Sequence, residues 1–282
     1  MNLSYIQYPL RHPQQKVGKI NKRQLHEASF DAEDLFYKMH IEQHNDANLH
    51  ITVDASSSMS GNKWYKTMTS VVAICKAASM IDNVHITVSF RTTQTSGHTQ
   101  LPYIILAYNS KVDKFSKVRT LFPYLVPAGC TPEGLAFGAI MSLFEGITPD
   151  EEDRYFLNLS DGEPYFAFTA PETGLGVSYS GEVGVSHTKT QVDKIRRLGV
   201  QILSYFIQDD AWGLLRKKDA DMTPDEKKQK EEQEKLLDQS PLRKDFRTMY
   251  GKDAKFINVE SIVDLAKTIN GLFLTKGSEN NA

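Results

Sequence analysis

The fold is decided by one stretch of sequence, Ile51-Thr52-Val53-Asp54-Ala55-Ser56-Ser57-Ser58-Met59-Ser60-Gly61. Its β-branched start predicts a strand that ends at Asp54, and Ser56 and Ser58 follow at alternate positions. A tight loop there would bring one carboxylate and two hydroxyls together, and these hard oxygen ligands suit Mg²⁺ or Mn²⁺ rather than zinc. A second interpretation stays open, because serine hydroxyls that follow a strand often only cap the next helix.

The bulk composition is that of an ordinary globular protein of 282 residues, of which 40% are hydrophobic and 24% charged. The formal net charge of −2 gives no electrostatic reason to expect nucleic acid or a membrane as a partner. No apolar run approaches the roughly 20 residues of a membrane-spanning helix, and the first residues lack the features of a signal peptide. Cys75 and Cys130 make no disulfide framework, so we expect reduced thiols and a cytoplasmic protein.

Strands and helices alternate along most of the chain. The apolar periodicity predicts strands at about 48–54, 84–90, 103–108, 154–159, 200–207 and 254–259. Helices are predicted at about 63–81, 112–125, 132–146, 187–198 and 260–274, and a polar loop at 91–100. This order predicts an α/β fold, doubly wound, with a mostly parallel sheet and helices on both faces.

The N-terminal segment has a different composition. Residues 1–45 are polar, and Pro9 and Pro13 interrupt their start. We therefore expect an irregular N-terminal arm, with a short helix at 22–29, rather than a separate domain.

A second compositional change occurs at residues 209–250. This segment is rich in charges of both signs and contains a capping box at Thr223–Glu226, which is typical of a solvated helix. We expect a charged helical insertion that is exposed, with a docking role as the alternative, inside a domain at 46–275. A flexible tail is expected at 276–282.

Two further loops carry oxygen ligands. Asp161 directly follows a predicted strand, and Thr131 lies in the loop before the helix at 132–146. Ligands of open α/β sheets lie outside the carboxyl ends of the strands, so Thr131 and Asp161 are expected to converge on Asp54. Thr131 has its own alternative, since a threonine before Pro132 is also a good helix cap. Residues 163–186 follow directly and are expected to wall the site.

With these residues the chain resembles a von Willebrand factor type A (VWA) domain, which has a Rossmann-like fold. Asp54, Ser56 and Ser58 match that family's first metal-site motif, Thr131 its second-loop threonine and Asp161 its third-loop aspartate. All five positions of the metal-ion-dependent adhesion site (MIDAS) are present in the family's order. The resemblance covers about 47–208 and 254–274.

The resemblance implies a mode of metal binding. In VWA domains the two serines and the threonine bind Mg²⁺ or Mn²⁺ directly, and the aspartates act partly through water. By this analogy Ser56, Ser58 and Thr131 are the direct ligands, and Asp54 and Asp161 complete the set. The open position on the ion is filled by a Glu or Asp of a protein partner.

A finer resemblance concerns the intracellular branch of the family. Val17–Leu25 is similar to the lead-in of cobaltochelatase CobT-type subunits. Ser160–Pro164, Tyr179-x-Gly181 and His187-Thr188 are similar to nitric oxide reductase activation proteins of the NorD type. Both groups work with MoxR-like AAA+ ATPases, although the chain lacks the long acidic segment expected before a CobT-type domain.

The motif residues and the two resemblances lead to three candidate functions. The first is a metal-dependent protein-binding module that has no catalysis of its own and acts as an adaptor for a MoxR-like AAA+ ATPase. The alternative is a CobT-like subunit of a tetrapyrrole metal-insertion complex. A free-standing hydrolase is disfavoured, because Ser56 stands where a D-x-D phosphatase has its second aspartate, and neither G-x-S-x-G nor H-E-x-x-H occurs.

Overall fold

The structure is a computed structural model. It describes residues 8–15, 19–21, 36–42, 46–81, 83–96, 99–144, 152–169, 176–208 and 222–265. The chain divides into two compact units, one containing Met1–Asn45 and the other spanning Asp46–Asn270. Within the described ranges, no helix combines the length and the apolar character that crossing a bilayer requires.

The smaller unit contains a three-stranded antiparallel sheet. Its strands are β1 (Tyr8–Gln15), β2 (Lys19–Ile20) and β3 (Phe36–Glu42), in the order β1-β3-β2. The expectation of an irregular arm is therefore wrong for these residues. Apolar and polar residues alternate through β3, which is a strand signal, and the prolines of β1 are tolerated because β1 is an edge strand. The helix expected at 22–29 lies outside the described residues.

The larger unit is built on a six-stranded sheet in the order β11-β10-β7-β4-β5-β6. Its strands are β4 (Asp46–Asp54), β5 (Val84–Ser96), β6 (Thr99–Asn109), β7 (Glu152–Ser160), β10 (Gln201–Gln208) and β11 (Ala254–Asn258). All neighbouring pairs are parallel except β5 and β6. The prediction of a doubly wound, mostly parallel sheet is confirmed.

Helices cover both faces of this sheet. They are α1 (Asn62–Ala78), α2 (Ser116–Leu121), α3 (Glu133–Ile140), α4 (Gly181–Arg197), α5 (Pro224–Asp238) and α6 (Pro241–Tyr250). Phe90 of β5 lies against Trp64 of α1, with ring centroids 5.8 Å apart. The next residue, Arg91, forms an ion pair with Glu133 of α3. Because successive side chains of a strand point to opposite faces, α1 and α3 lie on opposite faces.

The polar loop expected at 91–100 is largely strand. β5 continues to Ser96 and β6 begins at Thr99, and the two pair in antiparallel register as far as Ser96 and Thr99. Threonines at 92, 93 and 95 supply β-branched side chains, which favour a strand even where the residues are polar. Arg91 consequently lies in the sheet, in register with Asp54 of β4.

Several other predicted boundaries move. α4 begins at Gly181, six residues before the predicted start, where Gly184 packs closely on Pro164. Residues predicted to start the last helix form a 3₁₀ helix at Val259–Asp264. The remainder of that helix and the tail at 276–282 lie outside the described residues. Phe166–Thr169 (β8) and Gly176–Tyr179 (β9) form a small antiparallel pair.

The charged segment before β11 is not exposed throughout. In α5, Leu236 is 69% exposed, as expected for a solvated helix. In α6, however, Phe246, Met249 and Tyr250 are buried, and they join a core cluster with side chains of α3 and α4. These three residues have the spacing of one helical face. The Arg and Lys residues around them make the segment polar on average, so its composition does not indicate this apolar face. The expectation of an exposed excursion is therefore wrong for α6.

We expect Phe246→Ala to lower the free energy of unfolding by about 3–5 kcal/mol, because it leaves a cavity in the core. The matched control is Leu236→Ala on the neighbouring charged helix, where the expected change is within about 0.5 kcal/mol. Urea denaturation followed by circular dichroism measures both values. Equal, small effects would contradict the assignment of α6 to the core.

Candidate metal centre

The first loop folds its polar side chains onto one another. Asp54 ends β4 fully buried, and its Oδ1 accepts a hydrogen bond of 2.8 Å from the backbone N–H of Ser56. The hydroxyl oxygens of Ser56 and Ser58 are 2.9 Å apart. Neither serine caps a helix with its side chain, and the residue before α1 is Gly61, at φ +77°. The capping interpretation of these serines does not hold.

The second loop brings Thr131 to the same carboxylate. The Thr131 hydroxyl donates to Asp54 Oδ2 at 3.2 Å. α3 begins at Glu133, and no side chain caps its N-terminus. The alternative that Thr131 only caps this helix is therefore wrong.

The third loop completes the group. Asp161 follows the last residue of β7, and its Oδ1 accepts a hydrogen bond of 2.7 Å from the Ser58 hydroxyl. The structure thus joins the five predicted residues in one hydrogen-bonded set, here called the oxygen cluster: Asp54, Ser56, Ser58, Thr131 and Asp161.

Backbone hydrogen bonds hold the three loops in place. Ser57 N donates to Gly129 O at 3.0 Å, and Ala128 N donates to Ala55 O at 2.8 Å, which joins the first loop to the second. Thr131 and Tyr165 exchange two backbone hydrogen bonds of 3.0 Å, which join the second loop to the start of the 163–186 segment. That segment therefore begins beside the oxygen cluster, as the sequence predicts; its residues 170–175 lie outside the described part.

Gly129 allows the second loop to approach β5. It has φ +74°, and a Cβ at this position would lie 2.3 Å from the backbone oxygen of Thr93. The Thr93 hydroxyl also accepts a hydrogen bond of 2.8 Å from Cys130 N. The extension of β5 beyond its predicted end therefore supports the loop that carries Thr131.

A buried ion pair lies beneath the oxygen cluster. Arg91 Nη2 and Glu133 Oε2 are 3.0 Å apart, and both side chains are fully buried. Glu133 also accepts hydrogen bonds from Asn158 Nδ2 at 2.9 Å, from Ser160 Oγ at 3.2 Å and from the Tyr250 hydroxyl. These five residues are here called the buried ion-pair network.

Ser160 connects the network to the cluster. Its hydroxyl lies 3.1 Å from Asp54 Oδ2 and 3.2 Å from Glu133 Oε2, so it bridges the two carboxylates. Asp54 is therefore linked to Glu133 through the side chain of Ser160, and Glu133 in turn contacts Tyr250 of α6. The position of Asp54 depends on contacts from β5, β7, α3 and α6.

The buried ion-pair network lies outside the sequence motif of the metal site. Arg91 directly follows an apolar strand run, and Glu133 stands two residues after Thr131, so both had a local cue. The sequence pattern places Arg91 in a polar loop, however, and a loop has no strand register with Asp54. Tyr250 had no cue at the level of sequence, because its contact with Glu133 spans 117 positions.

Asp54 is a carboxylate that its surroundings make costly to ionise. Burial raises the pKa of Asp54 to about 6, and the nearby charges of Glu133 and Asp161 raise it as well. Arg91 and the backbone N–H of Ser56 act in the opposite direction. A further cation beside Asp54 would stabilise its charged form.

The donors fit a hard divalent cation. The oxygen cluster offers three neutral hydroxyls and two carboxylates, which suit Mg²⁺ or Mn²⁺. In the described ranges, no three side chains of His, Cys, Asp or Glu group as a metal site, so the candidate centre depends on its hydroxyls. Ser56, Ser58 and Thr131 would hold the ion, with Asp54 and Asp161 supplying its negative charge.

Lys63 also reaches the cluster. Its Nζ lies 2.5 Å from Asp161 Oδ2 and donates to the backbone oxygen of Ser58 at 3.2 Å. The side chain of Asp161 is 1% exposed and that of Lys63 is 16% exposed, so the ion pair is largely shielded from water. The sequence motif does not include this residue.

We expect Arg91→Met to lower the free energy of unfolding by about 3–5 kcal/mol, because Glu133 would keep a buried charge without its partner. The double variant Arg91→Met/Glu133→Gln should recover about 2 kcal/mol of that loss, since the uncompensated charge is removed. Guanidinium denaturation of the three proteins measures the coupling. Strictly additive losses would contradict the ion pair.

No protein-family model matches the sequence, and no curated protein matches it either. Solved structures do match. The pilus adhesin SpaC of Lactobacillus rhamnosus GG, in its open conformation, aligns at 12% identity and a TM-score of 0.53 over 85% of this chain and 32% of that one. The chain thus spans about a third of the length of SpaC.

A second solved structure aligns with this chain over nearly the whole length of that structure. The vWF domain of the type V pili tip protein Mfa5 from Porphyromonas gingivalis aligns at 10% identity and a TM-score of 0.51. The alignment covers 80% of this chain and 95% of that one. At these identities the likeness concerns the fold alone. The sheet order, the helices on both faces and this likeness give the chain the fold of a VWA domain.

Proposed function

We propose that the protein is a protein-binding module that depends on Mg²⁺ or Mn²⁺. Ser56, Ser58 and Thr131 hold the ion, Asp54 and Asp161 complete its surroundings, and a partner protein supplies a Glu or Asp carboxylate to it. The observation that carries the proposal is the oxygen cluster itself. Three loops from separate parts of the chain place their hydroxyls and carboxylates within hydrogen-bond distance of one another.

The chemistry of the cluster favours an acidic partner. The three hydroxyls are neutral ligands, so a divalent ion held by them keeps much of its positive charge. The bound ion would supply electrostatic attraction for a carboxylate. The side chains of this protein position the ion, and none of the roles proposed here is catalytic.

The segments that carry the cluster also expose apolar side chains. Tyr165, whose backbone pairs with Thr131, is 51% exposed. Val126, two residues before the Ala128–Ala55 hydrogen bond, is 73% exposed, and Tyr65 near the start of α1 is 69% exposed. Aromatic and apolar side chains around a polar anchor are typical of protein interfaces. They support a protein, rather than a free small acid, as the ligand.

The identity of the partner is a finer proposal. The sequence resemblance to NorD-type proteins names a MoxR-like AAA+ ATPase as the first partner to test, in the cytoplasm. Both Cys75 and Cys130 are free thiols, which is compatible with a reducing compartment. The CobT-like alternative continues to rest on sequence resemblance alone.

We expect Ser58→Ala to weaken binding of Mn²⁺ and Mg²⁺ at least about tenfold, which corresponds to 1.4 kcal/mol. The matched control is Ser57→Ala in the same loop, whose hydroxyl is exposed and outside the oxygen cluster. Isothermal titration calorimetry measures both affinities. Capture of the purified ATPase should then occur with wild type in Mn²⁺, and be lost with chelator or with Ser58→Ala.

Two results would contradict the proposal. One is equal metal affinity of the Ser57 and Ser58 variants, since the ion would then not lie in the cluster. The other is capture of a partner that is unchanged by chelator. If the protein binds metal as expected but does not capture the ATPase, that partner is rejected and the proposal of a metal-dependent module stands.

A further inference from the structure

The ion pair between Lys63 and Asp161 places a positive charge of the protein at the edge of the oxygen cluster. One oxygen of Asp161 accepts from the Ser58 hydroxyl at 2.7 Å, and the other contacts Lys63 Nζ at 2.5 Å. Lys63 Nζ also contacts the backbone oxygen of Ser58. The ammonium group therefore contacts two of the three loops, on groups that surround the proposed ion.

The location of Lys63 is not favoured by its own helix. Lys63 is the second residue of α1, and the positive end of a helix disfavours a cation in the first turn. No acidic residue of the first turn offsets this effect. Asp161 provides a compensating negative charge for the ammonium group.

The charges around the cluster indicate what happens when a divalent ion arrives. Asp54, Glu133 and Asp161 are opposed by Arg91 and Lys63, which leaves an excess of one negative charge if all are ionised. A divalent ion added with Lys63 in place would reverse this sign. If Lys63 left for solvent, the same ion would bring the group to neutrality. Arg91 cannot leave as readily, because it is fully buried.

The side chain of Lys63 can move away from Asp161 into solvent. Its side chain is long and flexible, and it is partly exposed, unlike that of Asp161. Its ammonium group regains water when it moves outward. A compact ammonium group on such a chain can therefore be exchanged for a free cation.

We propose that Lys63 is a tethered cation that holds Asp161 in the metal-free protein and competes with the divalent ion, which displaces it. This inference rests on the proposed function, since it concerns the same centre. It adds a residue outside the sequence motif that sets how much metal the centre takes up. Metal uptake then requires release of the Lys63 side chain.

The first test is the affinity for Mn²⁺ of the full chain, measured by calorimetry at low salt. Lys63→Met keeps the length of the side chain and removes its charge. We expect it to bind Mn²⁺ about tenfold more tightly than wild type, within the usual range of coupling between two sites. The matched control is Lys76→Met in the last turn of the same helix, with an expected change of less than about threefold, because Lys76 is exposed and lies about 20 Å from Lys63 along the helix axis.

The second test uses wild type and so does not depend on the variant folding. Acetylation with an amine-reactive ester, read by mass spectrometry, reports how accessible each lysine is. We expect Lys63 to react severalfold faster with Mn²⁺ than with EDTA, and the exposed Lys76 to react equally in both.

The outcomes separate this inference from the proposed function. If wild type binds Mn²⁺ but Lys63→Met binds it no more tightly, or Lys63 reacts equally with and without Mn²⁺, competition by Lys63 is overturned and the metal centre stands. If neither wild type nor Lys63→Met binds Mn²⁺, the inference falls together with the metal centre.

Discussion

The buried ion pair between Arg91 and Glu133 is the interaction on which the site depends. It joins β5 to α3 at full burial, and Glu133 gathers further hydrogen bonds from β7 and from Tyr250 of α6. Ser160 then connects Glu133 to Asp54. Two buried charges are costly unless they are paired and hydrogen-bonded, so this ion pair favours the arrangement of the elements that supply its partners. That arrangement places Asp54 at the centre of the three loops.

The candidate centre combines a rigid base with an exchangeable edge. Below Asp54, the charges are buried and held by several hydrogen bonds. On the other side of the cluster, Ser58 is exposed, and the partly exposed Lys63 on its flexible side chain contacts Asp161 and the backbone oxygen of Ser58. The base fixes the geometry of the donors, while the edge can exchange one cation for another. A site that binds metal and partner reversibly needs both properties.

The sequence predicted the fold and the five residues of the oxygen cluster because short patterns mark the strands and the polar residues that follow them, and ligand sites of α/β sheets lie outside the carboxyl ends of the strands. Asp54, Ser56 and Ser58 stand within five positions, and the strands are read from short apolar runs. The contacts of Tyr250 and Lys63 could not be predicted in this way, since neither residue belongs to a motif and their partners lie 117 and 98 positions away. Composition gave wrong predictions at two places. Charged residues surround the apolar residues of α6, which was expected to be exposed, and the polar residues at the end of β5 include β-branched threonines, which favour a strand over the expected loop. In each case tertiary packing decided the outcome.

The most direct test of the central claim is a crystal structure of the protein with Mn²⁺, measured at an energy where manganese scatters anomalously. We predict a single strong anomalous peak bonded to the hydroxyl oxygens of Ser56, Ser58 and Thr131, within the range of about 2.0–2.6 Å that hard divalent cations keep from oxygen ligands. A peak at another place, or no peak at a Mn²⁺ concentration that saturates binding in solution, would contradict the account.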